Sequence, residues 1–176
     1  MATIDWNHWT PRERAVLCFI RRGDEVLLIL KKRGLGGGKM NAPGGKIEPG
    51  ETARDAAIRE TQEEVGLTPL EPEERGELFF QFTDGYSLHC RVFTANGCEG
   101  TPIETDEATP FWTRLSEIPY DRMWADDRVW LPEMLAGRRF RGYFVFDDET
   151  MLSQKLDLLP AAEPEAALPK EACSNG

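Results

Sequence analysis

The chain has 176 residues, 40% hydrophobic and 30% charged, which is typical of one soluble globular domain. Its formal net charge of −10 repels a nucleic-acid backbone, and no apolar run approaches the length of a membrane span. We therefore expect a cytoplasmic protein, without a dimer-forming segment and hence monomeric, that binds neither polymeric nucleic acid nor membranes. A small anionic substrate is compatible with this charge if a metal cation neutralises the point of contact.

Cysteine and histidine residues give no sign of a zinc site or a catalytic triad. The cysteines form no CxxC pair and match no zinc-binding spacing, so we expect reduced thiols. They are Cys18, Cys90, Cys98 and Cys173. His8 and His89 stand alone in the sequence, which is more typical of surface or core histidines than of ligands.

The first third of the chain predicts an arm, a hairpin and a loop before a helix. Residues 1–13 are polar apart from two tryptophans, and we expect a loose N-terminal arm. Apolar runs at 15–20 and 25–30, separated by a turn, predict a β-hairpin. Glycine is dense in residues 31–45, which predicts a loop that bends sharply and exposes its backbone. Residues 52–65 follow a helical pattern.

The remaining chain predicts strands around one more helix. The strands are expected at 78–82, 86–95, 110–115, 139–148 and 150–156. A short helix is expected over 126–137, beginning at an aspartate cap. Residues 160–176 are poor in large apolar groups and are expected to form a flexible tail. The sequence therefore predicts an α+β domain over 14–159.

Three glutamates crowd one face of the helix predicted over 52–65. Capping signals mark its two ends, at Thr52, Asp55 and Gly66. The glutamates lie within an arc of about 100° on the helical wheel. They are Glu60, Glu63 and Glu64. Carboxylates spaced four residues apart repel each other and weaken an isolated helix, so the crowding needs a reason.

A solvated charged face is the usual alternative, but such a face normally mixes both signs of charge. Arg59 can pair with Glu63, whereas Glu60 faces Glu64 without a cation of its own. A hard divalent cation would remove this repulsion, and Mg²⁺ commonly binds one or two carboxylates together with substrate phosphates. The upstream glycines at 44–45 could offer bare backbone to the same site. We therefore favour a metal site.

The same residues resemble the signature of the Nudix hydrolases. The matching positions are Gly45, Glu51, Arg59, Glu60, Thr61, Glu63, Glu64, Gly66 and Leu67. Thr61 departs from the pattern, because an aliphatic residue is usual there. A pattern with this many fixed positions at fixed spacing is very specific.

This resemblance implies an α/β/α sandwich around a mixed sheet, with the signature forming a loop–helix–loop. It also implies Mg²⁺-dependent hydrolysis of a nucleoside diphosphate linked to another group, with Mn²⁺ as a possible substitute. The implied metal ligands are the Gly44 carbonyl, Glu60, Glu63 and Glu64. One of these glutamates would orient or deprotonate the attacking water. Arg59 would orient the glutamates, and Glu51 would brace the loop.

A wider resemblance narrows the expected substrate. Residues 31–41, 100–112, 118–135 and 139–147 are similar to the eukaryotic-type MutT homologues that hydrolyse oxidised purine nucleoside triphosphates. The base pocket of that subgroup implies substrate-binding roles for Asn41, Trp124, Asp126 and Asp127. The resemblance also implies a further metal ligand at Glu107 and a contact of Lys31 with the phosphate or sugar.

Each pocket residue suits the chemistry of a purine. An amide both donates and accepts, so Asn41 can read a purine edge, and Trp124 offers a stacking face. Two adjacent carboxylates in a closed pocket should raise one pKa. Either Asp126 or Asp127 is then expected to be protonated and to donate to a base carbonyl. The alternative is that Asp126 is only a helix N-cap.

Four positions depart from the subgroup and leave the preferred base open. They are Val16, Leu35, Met40 and Pro43, all expected to line or support the pocket. The favoured interpretation is hydrolysis of 8-oxo-dGTP or 2-hydroxy-dATP to the monophosphate and pyrophosphate. This activity would sanitise the nucleotide pool. The alternatives are an ordinary nucleoside triphosphate or dinucleoside polyphosphate as substrate, or a nucleotide-binding module without turnover.

Overall fold

A mixed β-sheet organises residues 3–160, which are the residues that the computed structural model describes. The strands are β1 (Glu13–Arg22), β2 (Glu25–Lys31), β3 (Met40–Asn41), β4 (Gly44–Lys46), β5 (Thr68–Pro69), β6 (Glu73–Phe82), β7 (Ser87–Ala95), β8 (Cys98–Glu99), β9 (Ala108–Arg114), β10 (Arg139–Asp147) and β11 (Thr150–Leu159). The helices are α1 (Ala53–Val65) and α2 (Asp127–Leu135). Within the described part, no helix has the length and apolar character needed to cross a membrane.

The sheet splits along β1, and this split opens the site. The strand order is β11-β10-β6-β7-β1-β2-β3, with β4 added to β1 and β9 added to β2. One edge of β1 pairs in parallel with β7. The other edge pairs with β4 over residues 15–17 and with β2 only at residues 21–22. The β4 and β2 sides of the sheet therefore diverge from a shared strand.

A helix covers each face of the sheet, as the strand alternation in β1 requires. Val16 and Ile20 face α1, where Ala56 packs closely because its side chain is small. Phe19 faces the opposite layer, in which Trp130 of α2 is fully buried. The expected α+β class, with helices on both sides of a mixed sheet, is confirmed.

Local signals determine where α1 begins and ends. The Thr52 hydroxyl accepts a hydrogen bond from the backbone of Asp55 at 3.1 Å, and Gly66 ends the helix in the left-handed region at φ 74°. Thr61, the one departure from the signature, is buried and donates its hydroxyl proton to the Ala57 carbonyl at 2.7 Å. A polar side chain is therefore tolerated at this normally apolar position.

The N-terminal residues pack on the sheet, so the prediction of a loose arm is wrong. Trp6 lies 5.4 Å from the ring of Tyr143, and Trp9 lies 5.8 Å from that of Phe79. The Trp9 indole also donates a hydrogen bond of 2.8 Å to Gln81. This segment covers an aromatic sheet surface. The domain limits of 14–159 stay a prediction, and the tail predicted over 160–176 lies outside the described residues apart from its first residue.

Candidate active site

Two glycines bring the backbone of β4 against the strand and the helix on either side of it. A Cβ on Gly44 would collide with the Val16 carbonyl, and a Cβ on Gly45 would collide with the Glu60 carboxyl group. Any other residue type would force β4 away from β1 at position 44 and would displace the Glu60 carboxylate at position 45. The glycine pair thus holds the carboxylate face of α1 directly against the β4 loop.

The three glutamates of α1 differ in exposure and in protonation. Glu64 is 3% exposed, and its carboxylate accepts a hydrogen bond of 2.7 Å from the Gly44 backbone N–H. Burial, reinforced by the charges of Glu60 and Glu107, raises the pKa of Glu64 to about 7. Burial also raises the pKa of Glu60, against the opposing effect of Arg59. The side chain of Glu63 is 56% exposed.

Arg59 links the loop before α1 to the glutamates on it. Its guanidinium donates two hydrogen bonds to Glu51, at 2.7 and 2.9 Å, in the bidentate geometry that arginine forms with carboxylates. It also donates to Glu60 at 3.3 Å and to Glu63 at 3.2 Å. The hydrogen bonds from Arg59 lower the pKa of Glu51 to about 2. Arg59 therefore holds one carboxylate oxygen of Glu60 and one of Glu63.

These carboxylates suit a hard divalent cation, although the described residues hold no preassembled cluster of three metal-ligating side chains. Glu60, Glu63, Glu64 and Glu107 line one open cleft of about 880 Å³. Repulsion between these carboxylates contributes to the raised pKa values of Glu60 and Glu64. A cation would relieve this repulsion. The chemistry of the donor set therefore fits Mg²⁺ or Mn²⁺.

A narrower cavity of about 130 Å³ adjoins the cleft. Lys31 and Glu64 line both spaces, so the cavity opens towards the carboxylates. Of the predicted substrate-binding residues, those that line the cavity are Val16, Lys31, Leu35, Asn41, Gly44, Gly45, Trp124, Asp126 and Asp127. Residues from the four strands β1–β4, from the loop between β2 and β3 and from the start of α2 thus meet in one place that no single sequence segment defines.

Polar groups in the cavity are few and incompletely bonded. The Asn41 amide oxygen accepts from the Ala42 N–H at 2.8 Å, which leaves the NH₂ group for a ligand. Asp126 accepts a hydrogen bond of 2.8 Å from the Trp130 indole. Asp127 is 3% exposed, and its Oδ2 has no hydrogen-bond partner among the described residues. A buried polar atom without a partner normally awaits one.

Both aspartates at the start of α2 have raised pKa values. Burial raises the pKa of Asp126, and burial together with the charge of Asp126 raises the pKa of Asp127. The alternative that Asp126 serves only as a helix cap is wrong, because its side chain caps no backbone N–H of α2. Its carboxylate bonds to Trp130 instead.

Two predicted pocket residues lie outside the cavity lining. Met40 pairs with Leu30 in the sheet and packs into the core beneath α2, because side chains alternate along β3 and Asn41 takes the cavity side. Pro43 is buried, and its carbonyl accepts a hydrogen bond of 2.8 Å from Cys18. Both residues therefore support the cavity without lining it.

Several lining residues were not predicted from the sequence. They are Ala15, Leu17, Ile29, Ala42, Leu78, Phe80, Phe82, Leu88 and Cys90. Leu78, Phe80 and Phe82 share one face of β6, and their spacing of two was a usable signal. The order of the strands in the sheet decides which face of β6 meets the site. The local sequence pattern does not reveal that order.

Comparison with known proteins agrees with this geometry. Residues 11–134 match the family model described as NUDIX domain. The chain is 43% identical to an oxidized purine nucleoside triphosphate hydrolase from Danio rerio, over 80% of this chain and 92% of the relative. It is 39% identical to the protein of the same name from Mus musculus, over 80% of this chain and 91% of that relative.

Solved structures share the fold. A MutT protein from Bacillus halodurans superposes with a TM-score of 0.74 at 31% identity, covering 82% of this chain and 97% of that protein. A MutT protein from Methanosarcina mazei has a TM-score of 0.63 at 24% identity, over 73% of this chain and 96% of that protein, and shows the fold alone. The matching signature, the family model and the near full-length relatives agree: the chain belongs to the Nudix family.

Proposed function

We propose that this protein is a metal-dependent hydrolase of oxidised or otherwise modified purine nucleoside triphosphates. The products would be the nucleoside monophosphate and pyrophosphate. The observation that carries the proposal is the continuity of two unlike spaces, an acidic cleft and a buried cavity with an unpartnered Asp127 oxygen. The names of the zebrafish and mouse relatives support the same activity.

The cavity end would read the base. Asn41 has a free amide donor, and Trp124 offers an apolar ring face. With one proton shared between Asp126 and Asp127, one carboxyl donates to a base carbonyl while the other accepts from a ring N–H. A purine that carries both groups along one edge would satisfy the unpartnered Asp127 oxygen. Substrate affinity that stayed constant from about pH 5 to about pH 9 would contradict this assignment.

The cleft end would hold the phosphates. Glu60, Glu63 and Glu64 would bind Mg²⁺, or Mn²⁺ in its place, with Glu107 and the Gly44 carbonyl as further ligands. The cation supplies neutralisation of phosphate oxygens and a bound water of lowered pKa. Lys31, which lines both spaces, would contact the phosphate or sugar between them. One of the α1 glutamates would accept the proton of the attacking water.

Arg59 and Glu51 would act by positioning. Because Arg59 bonds to Glu51, Glu60 and Glu63 at once, it restricts the rotation of the metal-binding carboxylates. A nucleotide-binding module without turnover would have no need of this network. We therefore favour an enzyme over a sensor. We also propose that it acts as a monomer in the cytoplasm, where the free thiols of Cys18, Cys90 and Cys98 would stay reduced.

A second candidate substrate is an ordinary purine nucleoside triphosphate or a dinucleoside polyphosphate. The observation that favours it is Leu35, which lines the cavity and offers no hydrogen bond that could discriminate a modified base. The carboxylate chemistry would be unchanged, and only the selection of the base would differ.

Product analysis tests the proposed chemistry. 8-oxo-dGTP is incubated with the protein and Mg²⁺, and the products are separated by chromatography. We expect monophosphate and pyrophosphate, no turnover in EDTA, and a loss of at least about 100-fold in kcat for Glu64→Gln. Release of inorganic phosphate and the diphosphate, or unchanged turnover of Glu64→Gln, would contradict the assignment.

A further inference from the structure

The loop between β2 and β3 contributes Leu35 to the cavity lining and is rich in glycine. Gly34, Gly36 and Gly38 have positive φ values of 81°, 80° and 88°. Glycine adopts such values without strain because it has no Cβ. Leu35 at the tip is 48% exposed and still lines the cavity. The orientation of Leu35 towards the cavity therefore depends on how the loop is anchored.

Backbone hydrogen bonds close the base of the loop, and two more, from the Gly37 N–H to the Gly34 carbonyl and from the Lys39 N–H to the Gly36 carbonyl, both at 3.0 Å, shape its turns. The Lys31 N–H donates to the Lys39 carbonyl at 3.0 Å, and the Gly38 N–H donates to the Lys31 carbonyl at 2.7 Å. Farther along, Gly36 lies so close to Trp124 that a Cβ would come within 2.7 Å of the indole nitrogen. The position of the loop and the position of the Trp124 ring are thus coupled by direct contact.

Lys39 connects this loop to a distant turn across the Trp124 ring. Its ammonium lies over the indole, 5.4 Å from the ring centroid, and forms an ion pair of 2.9 Å with Glu149. Glu149 belongs to the turn between β10 and β11. The ring also meets Phe82 and Phe146 edge to face, at 6.0 and 5.4 Å. Lys39 does not line the cavity, whereas Trp124 does.

We propose that Lys39 and Glu149 form a clasp that fixes Trp124 and the glycine loop at the base cavity, which makes them positioning residues for the purine. An indole is the aromatic ring that attracts cations most strongly. A lysine side chain is flexible, and fixing it in one rotamer costs conformational entropy. The ion pair with Glu149 offsets this cost and holds the ammonium over the ring. The inference rests on the proposed function, because it assigns Trp124 to base binding.

If Lys39 and Glu149 form this clasp, their loss should weaken binding of the base and leave the rate of the chemical step unchanged. Lys39→Met removes the charge and keeps the length of the side chain, and Glu149→Gln removes the partner. We expect each variant to raise the KM for a purine nucleoside triphosphate about two- to fivefold with kcat unaltered. The KM of the double variant should be no higher than that of Lys39→Met alone. Lys39→Arg keeps the charge and should retain the wild-type KM.

Amide hydrogen exchange tests the clasp without relying on turnover. In the nucleotide-free protein, residues 33–38 should exchange about two- to fivefold faster in Lys39→Met and Glu149→Gln. The matched control is Glu133→Gln, which breaks the exposed ion pair between Glu133 of α2 and Arg138, just before β10. That control should alter neither loop exchange nor KM.

The outcomes separate the two proposals. Unchanged loop exchange in Lys39→Met would overturn the clasp, whatever the activity. Faster exchange with an unchanged dissociation constant for 8-oxo-dGMP would overturn its role in positioning the base. Binding of 8-oxo-dGMP by the wild type without hydrolysis of any triphosphate would overturn only the proposed function. Absence of both binding and hydrolysis would overturn both proposals.

Discussion

Replacing Asp127 by asparagine should stabilise the nucleotide-free protein at alkaline pH. Asp127 is 3% exposed, and its Oδ2 lacks a partner among the described residues. Burial and the neighbouring charge of Asp126 raise the pKa of Asp127 well above its usual value. Asparagine has almost the same shape and no charge, so the variant does not have to bury a carboxylate when the solution becomes alkaline.

The direction of the pH effect follows from proton linkage. The pKa of Asp127 is higher in the folded than in the unfolded protein, so its contribution to the free energy of unfolding is largest below the unfolded pKa of about 4. That contribution is lost as the pH rises towards the raised folded pKa. An ionised carboxylate that is buried without a partner costs on the order of 1–3 kcal/mol more than the neutral amide of asparagine in the same place. At about 2–4 °C per kcal/mol, Asp127→Asn should raise Tm by about 2–12 °C at alkaline pH.

Thermal unfolding from about pH 4 to about pH 9, without nucleotide or metal, measures this effect. The difference in Tm between Asp127→Asn and the wild type should be small at the acidic end and should grow with pH. The control is Asp121→Asn, whose side chain is 96% exposed and which should show no such growth. A pH-independent difference, or a variant that is less stable than the wild type at pH 8, would refute the reasoning.

Two further predictions concern the carboxylate site. Gly45→Ala places a Cβ against a carboxylate of α1 and should lower kcat by about 100-fold. The control Gly97→Ala makes only ordinary contacts and should leave kcat unchanged. Equal kinetics of the two variants would count against the close approach of Gly45 to α1. Glu51→Gln should lower kcat at least tenfold, by freeing Arg59, and more than Glu48→Gln, which removes a single ion pair at 3.5 Å. Since the pKa of Glu51 is about 2, its pairing with Arg59 should persist on acidification until the pH falls through that value, as the chemical shift of the Glu51 carboxyl carbon would report.

Local signals allowed the helix, its caps and the acidic face to be predicted. Thr52 and Gly66 act on their own neighbours in the chain, and the helical period alone brings Glu60 close to Glu64. The charge crowding on α1 needs no tertiary information to be recognised. The roles of Asp126 and Asp127, by contrast, were expected only from the resemblance to the MutT homologues, and burial makes two adjacent carboxylates costly.

Features that depend on which elements meet could not be predicted. Met40 and Asn41 are neighbours, and only the pairing of β3 with β2 decides which of them faces the cavity. Trp6 and Trp9 stand in a polar segment, so the aromatic surface that they cover becomes evident only when β6 and β10 are side by side. The ion pair between Lys39 and Glu149 joins residues far apart in the chain.

Competition between nucleotides tests the central claim most directly. Values of kcat/KM with Mg²⁺ would be compared for dGTP, dATP, 8-oxo-dGTP, 2-hydroxy-dATP, O6-methyl-dGTP and a diadenosine polyphosphate. We expect a modified purine to exceed its normal counterpart by at least about tenfold, because only a base with the correct edge satisfies the buried aspartates. Equal or faster hydrolysis of dGTP and dATP would contradict this account of the cavity and leave only the metal-dependent chemistry of the cleft.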